Sequence, residues 1–168
     1  MKSYGYLKYD PRHIETRYKD WWLILQCSEG IALYYRYWIQ KEATWEVHSR
    51  DWLNKAKLNP NLDRHWPVTQ KGIKLTRSAW GPHVSVVRGE KPLNIKLWKK
   101  YDGKKVWFEY DPKYLNTNGK HWWFRVISPE LESIRQELGL TPQPEYFHRD
   151  SQTQRVNPFH LTIGHMLN

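Results

Sequence analysis

The chain has 168 residues, enough for one domain with a sizeable core, and it carries 27 Lys+Arg against 17 Asp+Glu, a formal charge of +10. Its 11 Trp and 11 Tyr are too many aromatics for a disordered polypeptide, and its one cysteine, Cys27, excludes a disulfide framework and any cysteine-based zinc site. No apolar run approaches the roughly 20 residues of a membrane span, and Met1-Lys2-Ser3-Tyr4-Gly5-Tyr6 lacks the apolar stretch of a secretory leader, so a soluble cytoplasmic protein with an anionic partner is expected.

In chain order, Trp21 to Cys27 (WWLILQC) reads as a buried strand. Ser28-Glu29-Gly30 then turns the chain, and Ile31 to Ile39 (IALYYRYWI) returns as a second strand of a hairpin. Glu42 to Leu58 carries Trp45, Trp52 and Leu53 among charges and predicts a helix, closed by Asn59-Pro60-Asn61. From Asn61 to Trp80 the pattern predicts a loop with a short strand at Gly72 to Leu75. His83 to Val87 (HVSVV) is a β-branched strand, stopped by Arg88-Gly89-Glu90-Lys91-Pro92. Val106 to Tyr110 and His121 to Ile127 are further strands, flanking a loop from Asp111 to Lys120 whose Asn118-Gly119 suits a hairpin turn. The clearest helix follows: Ser128 caps it, Pro129 opens it, Glu130 and Glu132 suit its positive end, Leu131, Ile134 and Leu138 share one face, and Gly139 stops it. A polar, proline-punctuated loop from Thr141 to Asn157 leads into a last strand, Phe159 to Ile163 (FHLTI). All of this fits within a single domain, 1–168.

Two strands share one spelling. His83-Val84-Ser85-Val86 and His160-Leu161-Thr162-Ile163 each read His, apolar, hydroxyl, apolar. Residues i and i+2 of a strand point to the same face, so each motif offers an imidazole and a hydroxyl on a strand anchored from behind by two apolar side chains. One such motif is more often a satisfied strand histidine; two of them facing one cleft form a site. Cleaving a phosphodiester requires taking a proton from the attacking oxygen and giving one to the leaving oxygen, and imidazole does either near neutrality. Hydroxyls such as those of Ser85 and Thr162 can hold the non-bridging oxygens where charge develops. No His-Glu-x-x-His or CxxC motif competes, and no metal or cofactor is expected. His160 and His165 are five apart, which in a regular strand places them on opposite faces.

Paired His-x-Ser/Thr motifs, the second within Phe159-His160-Leu161-Thr162-Ile163-Gly164, resemble those of the 2H phosphoesterase superfamily. That resemblance implies a bilobed α+β fold, antiparallel sheets flanked by helices around a central cleft, and metal-independent hydrolysis. The flanking Pro82 to Arg88, Phe108-Glu109-Tyr110-Asp111-Pro112, Trp122-Trp123 and Ile134 to Leu140 are similar to segments of tailed-phage anti-CBASS phosphodiesterases, which destroy the cyclic oligonucleotide messengers of bacterial immunity. The likeness covers roughly residues 75 to 165. It makes His83 and His160 the acid/base pair, Ser85 and Thr162 the phosphate holders, and a cyclic di- or trinucleotide the substrate. Ser85 stands where many members have Thr. The sequence ends at Asn168, soon after the second motif, so the segment before His83 is expected to replace any lid that follows the second motif in the family.

Bases stack on aromatic faces and cations hold phosphates. Trp80, Trp98 and Tyr146 are the candidate stackers, and Arg88, just past the first motif, is the candidate phosphate contact; most other rings are expected in the core. Lys99-Lys100 and Lys104-Lys105 read as solvated charge, and Cys27 as a buried residue without nucleophilic character. Two alternatives stand beside the cyclic-oligonucleotide reading. One is an RNA-end or 2′,3′-cyclic-phosphate phosphodiesterase, and the other a non-catalytic single-stranded RNA-binding module.

Overall fold

Alternation of inward and outward side chains organises most of the chain. The computed structural model describes residues 1–11, 20–41, 75–117, 121–144 and 159–166. Its strands are β1 (Lys2–Tyr9), β2 (Trp22–Cys27), β3 (Leu75–Thr76), β4 (His83–Arg88), β5 (Lys105–Thr117), β6 (His121–Ile127) and β7 (Phe159–Met166). Its helices are α1 (Glu29–Lys41) and α2 (Pro129–Glu137). The helix expected over Glu42 to Leu58, the Asn118-Gly119 turn and most of the Thr141 to Asn157 loop lie outside the described residues.

Among the described residues every strand pairing is antiparallel. Neighbours run β1, β2, β4, β7, β6, β5 and return to β1, while β3 adds to β7 beyond the end of β4. Six strands therefore close into a barrel. This corrects the expected bilobed 2H-like architecture: β7 is paired along one edge with β4 and along the other with β6, so among the described residues one sheet closes on itself, with no two lobes and no cleft between them.

Inside the barrel lie Leu7, Leu23, Leu25, Val84, Val86, Val106, Phe108, Trp122, Phe124, Val126, Phe159 and Leu161. At one end α1 packs Ala32, Tyr35 and Ile39 into this core, where the Tyr35 hydroxyl lies 3.2 Å from that of Tyr110. At the other end α2 contributes Leu131, Ile134 and Leu138. Ser128 caps α2 by accepting the Leu131 N–H at 3.4 Å, and Gly139 ends it at φ +77°, a conformation that glycine adopts without steric cost.

The strand expected at Ile31 to Ile39 is the helix α1. Ala32, Tyr35, Arg36 and Ile39 are its buried residues, a spacing of three and four, and Leu33, Tyr34 and Tyr37 are exposed. Aromatic and β-branched composition favours a strand locally, but burial at helical period against the barrel end prevails. β5 continues to Thr117, taking in the first part of the loop expected from Asp111, with its register to β6 broken between Tyr110 and Leu115. β1 went unread in the sequence because only Leu7 and Tyr9 carry its apolar face, with Gly5 as the third inward position. Among the described residues no helix is long and apolar enough to cross a membrane.

One buried ion pair ties α2 to the barrel. Arg135 is fully buried; it donates to both Glu90 carboxylate oxygens at 2.9 and 2.7 Å, to the Val86 carbonyl at 2.6 Å and to the Thr141 carbonyl at 2.8 Å. A buried guanidinium is tolerable only when its donors are matched in this way. Truncation by Arg135→Ala strands the Glu90 carboxylate and two carbonyls, and should cost about 3–5 kcal/mol in urea-unfolding free energy. A loss below about 1 kcal/mol would show that the network is not built as described.

Candidate functional site

The two His-x-hydroxyl strands are hydrogen-bonded neighbours. In the β4–β7 ladder His83 lies directly across from Thr162 and Val84 across from Leu161. Val84, Val86, Leu161 and Ile163 are in the core, so His83, Ser85, His160 and Thr162 all project from the other side of the same two strands. The four predicted groups form a two-by-two array on the outer wall of the barrel. Adjacent strands continue each row. Gln26 of β2 flanks His83 and Trp123 of β6 flanks Thr162, while Ile24 flanks Ser85 and Arg125 flanks His160.

His83 is 7% exposed and held on its Nδ1 side, which contacts the Gly81 carbonyl at 2.8 Å. A carbonyl can only accept, so this bond places the proton on Nδ1 and leaves the Nε2 lone pair of the neutral ring to act as a base. Gln26 fixes the approach to β4 by donating to the Trp80 and Pro82 carbonyls at 2.9 and 3.1 Å. Burial lowers the pKa of His83; the bond to Gly81 opposes this, and the charges of Arg88 and His121 add to the lowering. His160 is half-buried and stacks on Trp123, with ring centres 5.1 Å apart and planes 27° from parallel. Its pKa is pushed down to about 3, first by burial and then by the Arg125 guanidinium. Both imidazoles are therefore neutral at pH 7 in the unliganded protein.

The remaining sequence candidates are distributed differently. Trp80 packs edge-on to His83 at 6.2 Å and against Trp22 at 4.5 Å, forming a wall of the site. Arg88 is exposed at the far end of β4, its guanidinium 5.5 Å over the Trp22 ring. Trp98 is not brought to the motifs: it joins Tyr9 and Trp21, at 4.8 and 5.2 Å, where β1 ends and β2 begins. Tyr146 lies outside the described residues. Cys27 is buried and its thiol is pushed up to about 12, which removes it as a nucleophile.

Three neighbours of the array were missed as site residues, although strict alternation in His121 to Ile127 marks them. Trp122, Phe124 and Val126 point inward, so His121, Trp123 and Arg125 share the outer face. His165 is a correction. A register break between Trp122 and Trp123 lets β7 gain one residue, and His165 comes opposite His121, on the Thr162 side. The two rings are 6.1 Å apart and His165 Nε2 is 3.1 Å from Thr76 Oγ1. Gly164 permits the crossing, since a Cβ there would stand 2.8 Å from the Thr76 carbonyl oxygen. Among the described residues no group of three or more His, Cys, Asp or Glu side chains is arranged to hold a metal ion. No family model, curated protein or solved structure matches this chain.

Proposed function

We propose that the outer face of β4 and β7 cleaves a phosphodiester by metal-free acid–base catalysis. The observation that carries this reading is the register that sets His83 across from Thr162, with Ser85 and His160 each two residues further along. His83 Nε2 takes the proton of an attacking hydroxyl or water as its oxygen bonds to phosphorus. His160, protonated, gives its proton to the leaving oxygen as the second P–O bond breaks. Ser85, Thr162 and the Arg125 guanidinium hold the non-bridging oxygens. A nucleotide is the substrate class that best uses the adjoining Trp123 and Trp80 rings, and it agrees with the +10 charge. The cyclic di- or trinucleotide suggested by the sequence resemblance is one member of that class.

Cleavage assays in EDTA with a cyclic dinucleotide, a 2′,3′-cyclic nucleotide and a short RNA should show turnover of at least one. His83→Ala and His160→Ala should each lower kcat about 10²–10⁴-fold without moving the thermal midpoint by more than a few degrees. Near-normal turnover in either variant, or no turnover of any of the three, would sink the proposal.

The pH dependence has a definite sign. Turnover requires one neutral and one protonated imidazole, and both free-protein pKa values lie below 6.5. The singly protonated form therefore grows as pH falls, and kcat/KM should peak on the acid side of pH 6.5. It should decline about tenfold per unit above neutrality. Arg125→Gln should shift the descending limb to higher pH by relieving His160 of a neighbouring cation. A kcat/KM that climbs between pH 6 and 8 contradicts the assignment.

A further inference from the structure

Across the barrel from the histidine face, β1 and β5 expose an unusual set of side chains. Tyr4 lies directly opposite Trp107, Tyr6 opposite Lys105 and Lys2 opposite Glu109. Tyr4, Tyr6 and Trp107 are 39%, 50% and 46% exposed, although their alternate neighbours Val106 and Phe108 are buried in the core. The rings meet one another edge-on, Tyr4 with Tyr6 at 5.9 Å and with Trp107 at 5.0 Å. Lys105 Nζ stands 3.8 Å from the Tyr4 ring centre and 4.7 Å from that of Trp107, and Lys2 Nζ stands 5.5 Å from Trp107.

Water-exposed aromatic rings on a sheet lose contact energy unless something covers them. The cover must be flat enough to lie on the rings and anionic enough to meet two ammonium groups. We infer that this wall is a binding platform for single-stranded nucleic acid, whose bases stack on Tyr4, Tyr6 and Trp107 while Lys2 and Lys105 hold the phosphates between them. Every base has a π-face, so such a platform grips a strand with little regard to sequence. A duplex keeps its bases stacked on one another and offers none to the rings. The acids among the described outward positions of the two strands, Glu109 beside Lys2 and Asp111 two residues further along β5, lie at one margin of the ring cluster. The inference is independent of catalysis at the histidines, since it rests on other strands and is read out by binding alone.

Fluorescence anisotropy with labelled 12-nucleotide single-stranded RNA and DNA, and with the matching duplex, tests it. Single strands should bind at least tenfold more tightly than the duplex at 50 mM KCl. Trp107→Ala should weaken that binding about tenfold. The charge-only variant Lys105→Gln leaves the rings in place and should reduce the slope of log Kd against log salt by about 0.7. Circular dichroism melting of each variant separates lost binding from lost fold. Absence of binding, equal affinity for duplex, or unchanged affinity in both variants overturns the platform. Sedimentation showing a dimer that Trp107→Ala dissociates would also overturn it, by assigning the rings to a second copy of the chain.

Discussion

The double pairing of β7 is the constraint on which the structure depends. With β4 along one edge and β6 along the other, this strand closes the barrel, and the same ladder determines which side chains become neighbours on its outer wall. A shift of one residue between β4 and β7 would turn His160 and Thr162 into the core and Leu161 outward. Burial of Val84, Val86, Phe159, Leu161 and Ile163 opposes that slip, because each would trade an apolar environment for water. Core packing thus holds the polar array in place from behind. At the far end of β7 the extra residue near Gly164 adds His165 to the same wall, beside His121.

That wall is cationic and partly desolvated, and the two effects act in the same direction on its histidines. Burial disfavours the imidazolium at both His83 and His160, and nearby Arg88, His121 and Arg125 disfavour it further. Protonation of either ring is consequently disfavoured in the unliganded protein. A phosphodiester bound over Arg125 would supply the negative charge that stabilises one imidazolium, so substrate capture and activation of the acid would be coupled. The stack of His160 on Trp123 fixes the plane of the imidazole.

Local signals in the sequence were sufficient for much of this. β-branched and apolar alternation located β2, β4, β6 and β7, and Ser128, Pro129 and Gly139 marked both ends of α2. Strand alternation within each His-x-hydroxyl motif places its imidazole and hydroxyl on one face, but the expectation that the two motifs face each other across a cleft gives way to direct pairing of their strands. Closure was not legible, because it depends on contacts between residues 77 apart and two facing lobes would satisfy the same motifs. Ile31 to Ile39 has strand-like composition, and the helical period of α1 becomes decisive only with a barrel end to cover. The bulge that moves His165 to the wall of the four side chains follows from Gly164 and the crossing of β3, neither of which shows in spacing alone. Arg135 reads as an ordinary cation of a helix; its burial is a consequence of Glu90, 45 positions earlier, arriving at the same place.

Backbone nuclear Overhauser contacts between β4 and β7 test the central claim most directly. On the isotope-labelled 168-residue chain, cross-strand contacts should join His83 to Thr162 and Val84 to Leu161, with a second set joining β7 to β6 through Arg125 and His160. Both sets together demonstrate a closed barrel with the four groups on one wall. Loss of the β4–β7 set, or a register shifted by one residue, would separate the two motifs and contradict it.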